Sequence, residues 1–371
     1  MFKVIYPIKD ATVYSQYPDK NTGVDPLLEI GKWTFGSPSL EDDSTVYYDA
    51  THNSRTFLYF DLGQFPTTKM IGVVRYYLVL RAMSAENLAY DYTLYAYPLS
   101  GSWTNGTGLY NNSPTITNGV SWYYKDSKLQ SGSWATSSYT AGTTGSYGVV
   151  RGGGNWYTTP ICSQSFQSTT PDVRMDVTDI VNSWLSGSIQ NSGIVLKFSD
   201  AAERDSSVMG LLQFFSRETN TIYIPRLEAY WDSTDNSGTG SFTQVSDEDF
   251  VLVTKNLRDA YSEGEVTKIK LHVRPRYPTL TYATSSNYLI SNRIPTSSYF
   301  QIQDVVTDEV IVPFNTLGTK VGCNSDGNYI TLDCDSLLPE RYYKIVFKCL
   351  FDGGDTIRYV DDGHQFRITR I

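Results

Sequence analysis

The chain is poor in the residues that most often carry out catalysis. Its 371 residues include only three histidines, His52, His272 and His364, and no two have metal-ligand spacing. No Cys-x-x-Cys pair, Gly-x-Ser-x-Gly elbow or Walker loop occurs. Two carboxylates on facing strands would suffice for glycoside hydrolysis, but most acidic residues fall in turn segments such as 352–355. We therefore predict a protein that is not an enzyme and has no catalytic residues and no cofactor.

Positive charge is also in the minority. The chain has 30 basic and 39 acidic residues, a net charge of −9, and no obvious cluster of Lys and Arg. A nucleic-acid groove needs a basic stripe, so we predict no nucleic-acid partner. Long apolar runs are missing too, because Arg75 interrupts MIGVVRYYLVL, and we predict no membrane insertion. The opening MFKVIYPIKDATVY lacks the apolar core of a signal peptide, so we do not expect secretion through a leader.

Cysteine is scarce, with four residues in the whole chain: Cys162, Cys323, Cys334 and Cys349. A two-residue hairpin turn at Asp326-Gly327 would pair Cys323 with Ile330, which places Cys334 out of reach of a cross-strand disulfide. We therefore predict reduced, structural thiols.

Aromatic residues and strand patterns are abundant. The chain has 29 Tyr, 16 Phe and 7 Trp, and short alternating segments are separated by Gly-, Asn- and Asp-containing turns. This pattern predicts an all-β fold. Residues 233–248, with the sequence STDNSGTGSFTQVSDE, have no apolar pattern. They are predicted to link residues 1–232 to residues 249–371. The strand spacing within 249–371 predicts a C-terminal immunoglobulin-like β-sandwich.

One segment, 176–187, has the pattern of a short amphipathic helix. Asp176 is the predicted N-cap, Asp179 lies near the positive end of the helix dipole, and Gly187 ends the helix. Apolar side chains at helical spacing define the buried face: Val177, Ile180, Val181, Trp184 and Leu185. We predict a structural helix that covers a sheet or plugs one end of a barrel.

A polar, tryptophan-rich segment spans about 100–170. Its length and its large aromatic residues predict an ordered loop excursion rather than a linker. These aromatic side chains either fill the loop's own core or form a contact surface for partners or sugars. The candidates are Trp103, Trp122, Tyr123, Tyr124, Trp134 and Trp156.

A calcium site near the N-terminus is the alternative to a metal-free protein. Asp10, Asp19 and Asn21 carry the oxygen ligands that calcium prefers. The same residue types also form Asx turns, which require no ion. We favour the turns and predict no metal.

Three segments together resemble the DNRLRE family of β-sandwich domains. They are PIKDATVYSQYPDKNTGVDPLLEIG (7–31), RTFLYFDLGQFP (55–66), and DVTDIVNSWLSG with the following GIVLKF (176–198). The resemblance implies a jelly-roll-like β-sandwich for 1–232, with the helix as its lid.

Other segments look like a version of this domain found in virion proteins of tailed bacteriophages. They are LSGSWTNGTG, PTITNGVSW and LLQFFSRETNTIYIPRLEAYWDS. The C-terminal segments RPRYPTLTYATSSNYLISNRIPTSSYFQIQD and LPERYYKIVFK look like the tail end of such phage proteins. The resemblance implies a structural virion protein, assembled in the host cytoplasm, that serves as a neck, collar or tail-ring subunit or a fibre adaptor. Its implied partners are portal, ring, tail or fibre proteins and further copies of itself in a homo-oligomer. The alternative is a glycan-binding module for host-surface attachment, because such domains resemble some carbohydrate-binding modules.

Overall fold

The computed structural model describes residues 1–35, 50–126, 132–134, 152–167, 171–204, 208–279 and 289–370. Strands account for 45% of the structure and helices for 8%, which confirms the predicted all-β fold. The predicted loop excursion lies partly outside the described residues, at 127–131, 135–151 and 168–170.

The strands of the first half of the chain are β1 (Phe2–Ile5), β2 (Lys9–Tyr14), β3 (Leu27–Phe35), β4 (Ala50–Tyr59), β5 (Val74–Leu80), β6 (Ala82–Glu86), β7 (Asp91–Pro98), β8 (Cys162–Gln167), β9 (Val173–Asp176), β10 (Ile194–Lys197), β11 (Gly210–Phe215) and β12 (Arg226–Trp231). Those that follow are β13 (Phe250–Thr254), β14 (Ala260–Ser262), β15 (Val266–Pro275), β16 (Ser298–Asp304), β17 (Val310–Val312), β18 (Gly322–Asn324), β19 (Gly327–Asp333), β20 (Tyr342–Phe351) and β21 (Thr356–Thr369). The helices are α1 (Thr178–Leu185) and α2 (Asp200–Arg204).

The chain divides into two compact units. The N-terminal unit comprises Ile5–Gln64 and Tyr76–Glu228, and the C-terminal unit comprises Met1–Val4, Phe65–Arg75 and Ala229–Ile371. The division is therefore discontinuous in sequence.

The predicted linker, 233–248, is packed within the C-terminal unit. Val245 is buried and its N–H donates to the carbonyl of Arg293 at 3.0 Å. The N–H of Cys323 donates to the carbonyl of Asp235 at 3.0 Å. Both hydrogen bonds hold residues of 233–248 in place, although the polar sequence of this segment predicts a linker.

The N-terminal unit is organised around strand β4. The eight-stranded sheet has the order β6-β11-β3-β4-β10-β7-β8, and β2 pairs with β4 as well. All four residues of β10 are buried, including Lys197. The chain also contains a four-stranded sheet, not confined to this unit, with the order β1-β12-β5-β9.

Helix α1 confirms most of the predicted apolar face and corrects its ends. Val177, rather than Asp176, occupies the N-cap position, and the Asp176 carboxylate accepts a hydrogen bond from the Thr178 N–H at 2.9 Å. Val177, Ile180, Val181 and Trp184 are buried, but Leu185 is 41% exposed because it lies at the edge of the apolar arc. Gly187 follows the helix with a φ of +75°, the left-handed conformation that favours glycine.

The C-terminal unit has the strand order of an immunoglobulin-like sandwich. Its four-stranded sheet runs β13-β15-β19-β18, and its five-stranded sheet runs β14-β21-β20-β16-β17. Strand β14 is parallel to β21. The antiparallel pairs of this unit's two sheets are β13-β15, β15-β19, β18-β19, β16-β17, β16-β20 and β20-β21. The first sheet corresponds to strands ABED of that fold, and β16, β20 and β21 correspond to CFG.

The cysteines are buried and unbonded, but the predicted hairpin register is wrong. Cys323 pairs with Asn328, and Asn324 pairs with Gly327, so Ser325 and Asp326 form the turn. The pair Asp362-Gly363, whose residue types are typical of turns, lies inside β21, where the register with β20 shifts in a bulge.

Candidate functional site

The tryptophans of the predicted contact loop lie in the core of the N-terminal unit. Trp103, Trp122, Trp134 and Trp156 are all less than 5% exposed and cluster with Phe57 of β4. The Phe57 ring packs edge-on against those of Trp103 and Trp134, with centroids 5.9 and 5.7 Å away. Trp103 and Trp134 also donate their indole N–H groups to backbone carbonyls at 3.0 Å. These four side chains therefore stabilise the unit, and they are not available to a partner.

The two tyrosines of that set are more accessible. Tyr123 is 41% exposed and Tyr124 is half-buried, and their rings meet edge-on at 6.2 Å. They are what remains of the predicted contact surface within the described part of the excursion.

A buried ionic network lies beside the tryptophan core. The Arg55 guanidinium makes two hydrogen bonds with the Glu203 carboxylate, at 3.0 and 2.8 Å, and Lys197 contacts the same carboxylate at 2.7 Å. Arg55 also donates to the carbonyl of Gly153 at 2.7 Å, and its guanidinium lies 4.7 Å from the ring centre of Trp122. Burial alone would raise the pKa of Glu203, but Arg55 and Lys197 hold the pKa below its ordinary value.

This network has the features of a structural element rather than a reactive site. The Arg55, Lys197 and Glu203 side chains are at most 6% exposed, so a substrate has no route to them in this conformation. The Glu203 carboxylate on α2 is bound by Arg55 of β4 and Lys197 of β10, and these contacts hold α2 against the two strands. A second carboxylate, Glu228, is held in the same way by Arg226 and Arg174.

The residues proposed for calcium serve other purposes. The Asn21 Oδ1 accepts the N–H groups of Gly23 and Gly108 at 3.2 and 2.8 Å, which is an Asx turn. Asp10 is buried and its carboxylate accepts the Arg217 N–H at 2.7 Å, whereas Asp19 is exposed. Across the described ranges, no group of three His, Cys, Asp or Glu side chains is arranged to hold a metal ion.

A surface groove in the N-terminal unit does combine accessible aromatic faces with polar groups. This aromatic groove has a volume of about 520 Å³ and contains the rings of Tyr17, Trp33 and Tyr110. Its remaining lining residues are Gln16, Glu29, Glu86, Asn87, Val208, Gly210 and Leu211. Tyr17 and Tyr110 meet edge-on at 5.9 Å.

Charges around the groove fix these aromatic rings. The Lys20 ammonium lies 3.8 Å from the Tyr17 ring centre and 4.2 Å from that of Tyr110. Glu29 accepts hydrogen bonds from the Tyr14 hydroxyl at 2.9 Å and the Gln213 amide at 2.6 Å. Burial, with a contribution from Tyr17, raises the pKa of Tyr110 to about 12, so its hydroxyl stays protonated at neutral pH. The groove therefore offers flat apolar faces beside hydrogen-bonding groups.

Sequence reasoning missed this groove because its residues come from separate segments. Trp33 lies at the end of β3, Tyr110 in the loop excursion, and Leu211 on β11, which pairs with β3. Only the sheet pairing brings them together, and the sequence pattern gave no register for that pairing.

The histidines form no common site. His52 lies on β4 beside the Trp33 ring, with centroids 6.5 Å apart, and burial lowers its pKa. His272 lies on β15, and His364 lies in the bulged part of β21.

No helix within the described residues is long and apolar enough to cross a membrane.

Comparison with known proteins adds little. No protein-family profile and no curated protein matches the chain. Among solved structures, a DUF4785 family protein from Legionella pneumophila aligns at 7% identity with a TM-score of 0.19. The alignment covers 100% of this chain, which spans only 61% of the Legionella protein. At that TM-score the likeness carries no argument about fold or function.

Proposed function

We propose that the protein is a structural component of a tailed-bacteriophage virion, a neck, collar or tail-ring subunit or a fibre adaptor. It acts through contacts with other virion proteins rather than through catalysis. The proposal rests on two resemblances: that of residues 99–108, 114–122 and 211–233 to the version of the DNRLRE domain found in phage virion proteins, and that of segments 7–31, 55–66 and 176–198 to the domain itself.

The fold supports treating these segments as one domain. Strand β4, which carries most of the second segment's strand, pairs with β2 from the first segment over Lys9–Tyr14. It also pairs with β10 from the third segment through Ile194, Val195 and Leu196. Segments far apart in sequence therefore occupy adjacent strands of one sheet, as the parts of a single domain must.

The chemistry of the buried charges is consistent with a scaffold. The carboxylates of Glu203 and Glu228 are each bound by two cationic side chains. Fixed ion pairs of this kind hold elements in place, and they keep both glutamates ionised rather than ready to donate a proton.

Particle composition tests the proposal. In density-purified particles of a phage that encodes this sequence, quantitative mass spectrometry should find the chain at a fixed ratio to the major capsid protein. A structural subunit should stay with the particles through repeated density sedimentation, whereas adsorbed host protein should be lost. Absence of the chain from purified particles would contradict a virion role.

A second function, glycan binding during host attachment, is favoured by the aromatic groove. Sugar rings pack their C–H faces on aromatic side chains and bind their hydroxyls to carboxylates and amides. The groove places Tyr17, Trp33 and Tyr110 beside Glu29 and Asn87, which supplies both kinds of contact.

Substitution of Trp33 tests this second function. The full chain should bind members of a bacterial surface-glycan array, and Trp33→Ala should weaken that binding at least about tenfold, as the loss of an aromatic anchor does. Tyr90→Ala is the matched control, because Tyr90 is 73% exposed and lies outside the groove. Equal glycan binding by the wild-type and Trp33→Ala proteins would exclude the groove as the site.

A further inference from the structure

A row of basic side chains follows one face of β15 in the C-terminal unit. Lys268, Lys270, His272 and Arg274 alternate with Ile269, Leu271 and Val273, which are buried in the sandwich core. Residues two apart on a strand share a face at a spacing of about 6.6 Å, so the row is roughly 20 Å long. The intervening apolar residues hid this basic row in the sequence, where no cluster of Lys and Arg was apparent.

The face around the row combines positive charge with apolar area. On the neighbouring β13, Val253 lies opposite His272 and is 40% exposed, and Val251 lies opposite Arg274. Lys255 follows β13, is exposed, and donates its backbone N–H to the Lys270 carbonyl at 2.8 Å. We call this surface the basic face.

Lys268 and Lys270 of the basic face interact only weakly with carboxylates of the same chain. Lys270 lies 3.1 Å from Asp326, but both side chains are more than half exposed and such a pair is weak. Lys268 lies 4.6 Å from the ring centre of Tyr329. The pKa of the exposed Asp235 is lowered by hydrogen bonds with Ser237 and, less, by the charge of Lys268, so this acid is also near. Arg274 donates to the backbone carbonyls of Pro275 and Arg276. An anionic partner that binds Lys268 and Lys270 would therefore compete only with weak contacts to exposed carboxylates.

The same unit carries a surface of opposite charge. A cleft of about 900 Å³ lies between the residues that precede β13, the end of β15, and β21. Its charged lining consists of the carboxylates of Asp247, Glu248, Asp249 and Asp361 and the guanidiniums of Arg276 and Arg358. Arg358 already donates its Nε–H to the Asp247 carbonyl at 3.1 Å, which ties it to the cleft wall. We call this the acidic cleft.

We propose that the basic face of one copy of this chain binds the acidic cleft of a second copy. Charge complementarity between the two surfaces is the argument, since each chain carries both. Binding of a nucleic acid or another polyanion to the basic face is the other outcome of the test below. The inference deepens the proposed virion role and rests on it for its biological setting, but its test requires only the purified chain.

A contact between two different surfaces has a definite consequence for assembly. Each copy would use its basic face toward one neighbour and its acidic cleft toward another, so the contact is head-to-tail. Such contacts generate a ring if the rotation closes and a filament if it does not. A two-fold dimer is not the expected product.

Charge reversal in the full chain tests the contact by sedimentation velocity. The wild-type chain should associate at about 0.05 M salt and dissociate at about 0.5 M, because the distance over which opposite charges attract each other shortens as the salt concentration rises. Reversal of the basic face, Lys268→Glu with Lys270→Glu, should weaken association at least about tenfold. Reversal of the cleft, Glu248→Lys with Asp249→Lys, should do the same. The control is Lys344→Glu with Lys348→Glu, which makes the same charge change on a different strand, β20, and should associate like wild type.

Mixing the two reversed variants gives the decisive measurement. The glutamates of one variant would face the lysines of the other, and their remaining native surfaces would also match. The equimolar mixture should therefore associate although each variant alone does not. A wild-type chain that is monomeric at all salt concentrations, or a mixture that stays monomeric, would overturn the inference. Binding of heparin by a monomeric wild type, lost in the Lys268→Glu, Lys270→Glu variant, would assign the basic face to a polyanion instead. Presence of the chain in particles is a separate measurement, so failure of either proposal can be recognised.

Discussion

At the scale of single residues, Asp10 is the clearest source of pH dependence. Its side chain is buried, and burial raises its pKa from 3.8 to about 7 against the smaller, opposing influence of Arg217. The folded state therefore holds the proton more tightly than the unfolded state does. Its contribution to stability is fully present below about pH 4 and is lost as the pH rises toward and through 7.

Asp10→Asn should flatten this dependence. The amide oxygen can still accept the Arg217 N–H, while the titrating proton is gone. Relative to wild type, the variant should gain up to about 4 kcal/mol of unfolding free energy between pH 4 and pH 8, since one pKa unit corresponds to about 1.4 kcal/mol. Urea unfolding across that range measures it, with the exposed Asp19→Asn as control. An unchanged pH slope in Asp10→Asn would show that this carboxyl is ionised in the folded protein.

Glu203→Gln should be strongly destabilising. The substitution leaves the buried cations Arg55 and Lys197 without the carboxylate that they share, and breaking a buried pair costs about 3–5 kcal/mol. The control is Asp326→Asn, which removes an exposed contact with Lys270 and should cost less than about 1 kcal/mol. Chemical denaturation at neutral pH compares the two. Equal effects would mean that water reaches the Arg55 network.

At the scale of elements, helix α1 owes its position to four buried side chains. Trp184 is 7% exposed, and Trp184→Ala should lower the unfolding free energy by about 3–5 kcal/mol. Leu185 is the neighbouring residue but is 41% exposed, so Leu185→Ala should cost much less. Denaturation of the full chain, followed by circular dichroism, distinguishes them. Similar losses in both variants would place Leu185 in the core after all.

The elements also show where sequence reasoning succeeds and where it stops. Apolar periodicity and Gly187 located α1, because burial and left-handed backbone leave direct marks on the sequence. Hairpin register is less visible: Asp326-Gly327 has the composition of a two-residue turn, yet the turn is made by Ser325 and Asp326. Pairing of β18 with β19 sets that register, and local propensity does not record it.

At the scale of the whole molecule, the sites depend on contacts that no local pattern encodes. The aromatic groove takes Tyr17, Trp33 and Tyr110 from three separate segments. By contrast, the four tryptophans that the sequence offered as candidates for a contact surface are buried. The strand count and spacing of 249–371 did predict the immunoglobulin-like order, since short strands with regular turns admit few topologies. Strand spacing could not predict that residues 1–4 and 65–75 also belong to the C-terminal unit.

Residues 1–4 belong to the C-terminal unit, and this arrangement has a measurable consequence. Phe2 is 1% exposed, and its ring lies 6.3 Å from that of Phe300 on β16. The Val4 N–H donates to the Ser336 hydroxyl at 3.1 Å, and the Lys3 ammonium lies 3.8 Å from Asp333. The early residues therefore stabilise a unit formed mainly by the last third of the chain.

Phe2→Ala should accordingly destabilise β16 of the C-terminal unit rather than the strands of the N-terminal unit, which come sooner after Phe2 in the sequence. Loss of a buried phenylalanine costs about 3–5 kcal/mol, and hydrogen exchange should accelerate across Ser298–Asp304. Ile71→Ala is the control within the same unit, because Ile71 is 76% exposed and its truncation removes little buried area. Exchange in β10 should change less in either variant, since that strand lies in the N-terminal unit. If Phe2→Ala accelerated exchange in β10 and left Ser298–Asp304 protected, residues 1–4 would stabilise the N-terminal unit, and the predicted boundary at 232 would describe the chain better than the discontinuous division does.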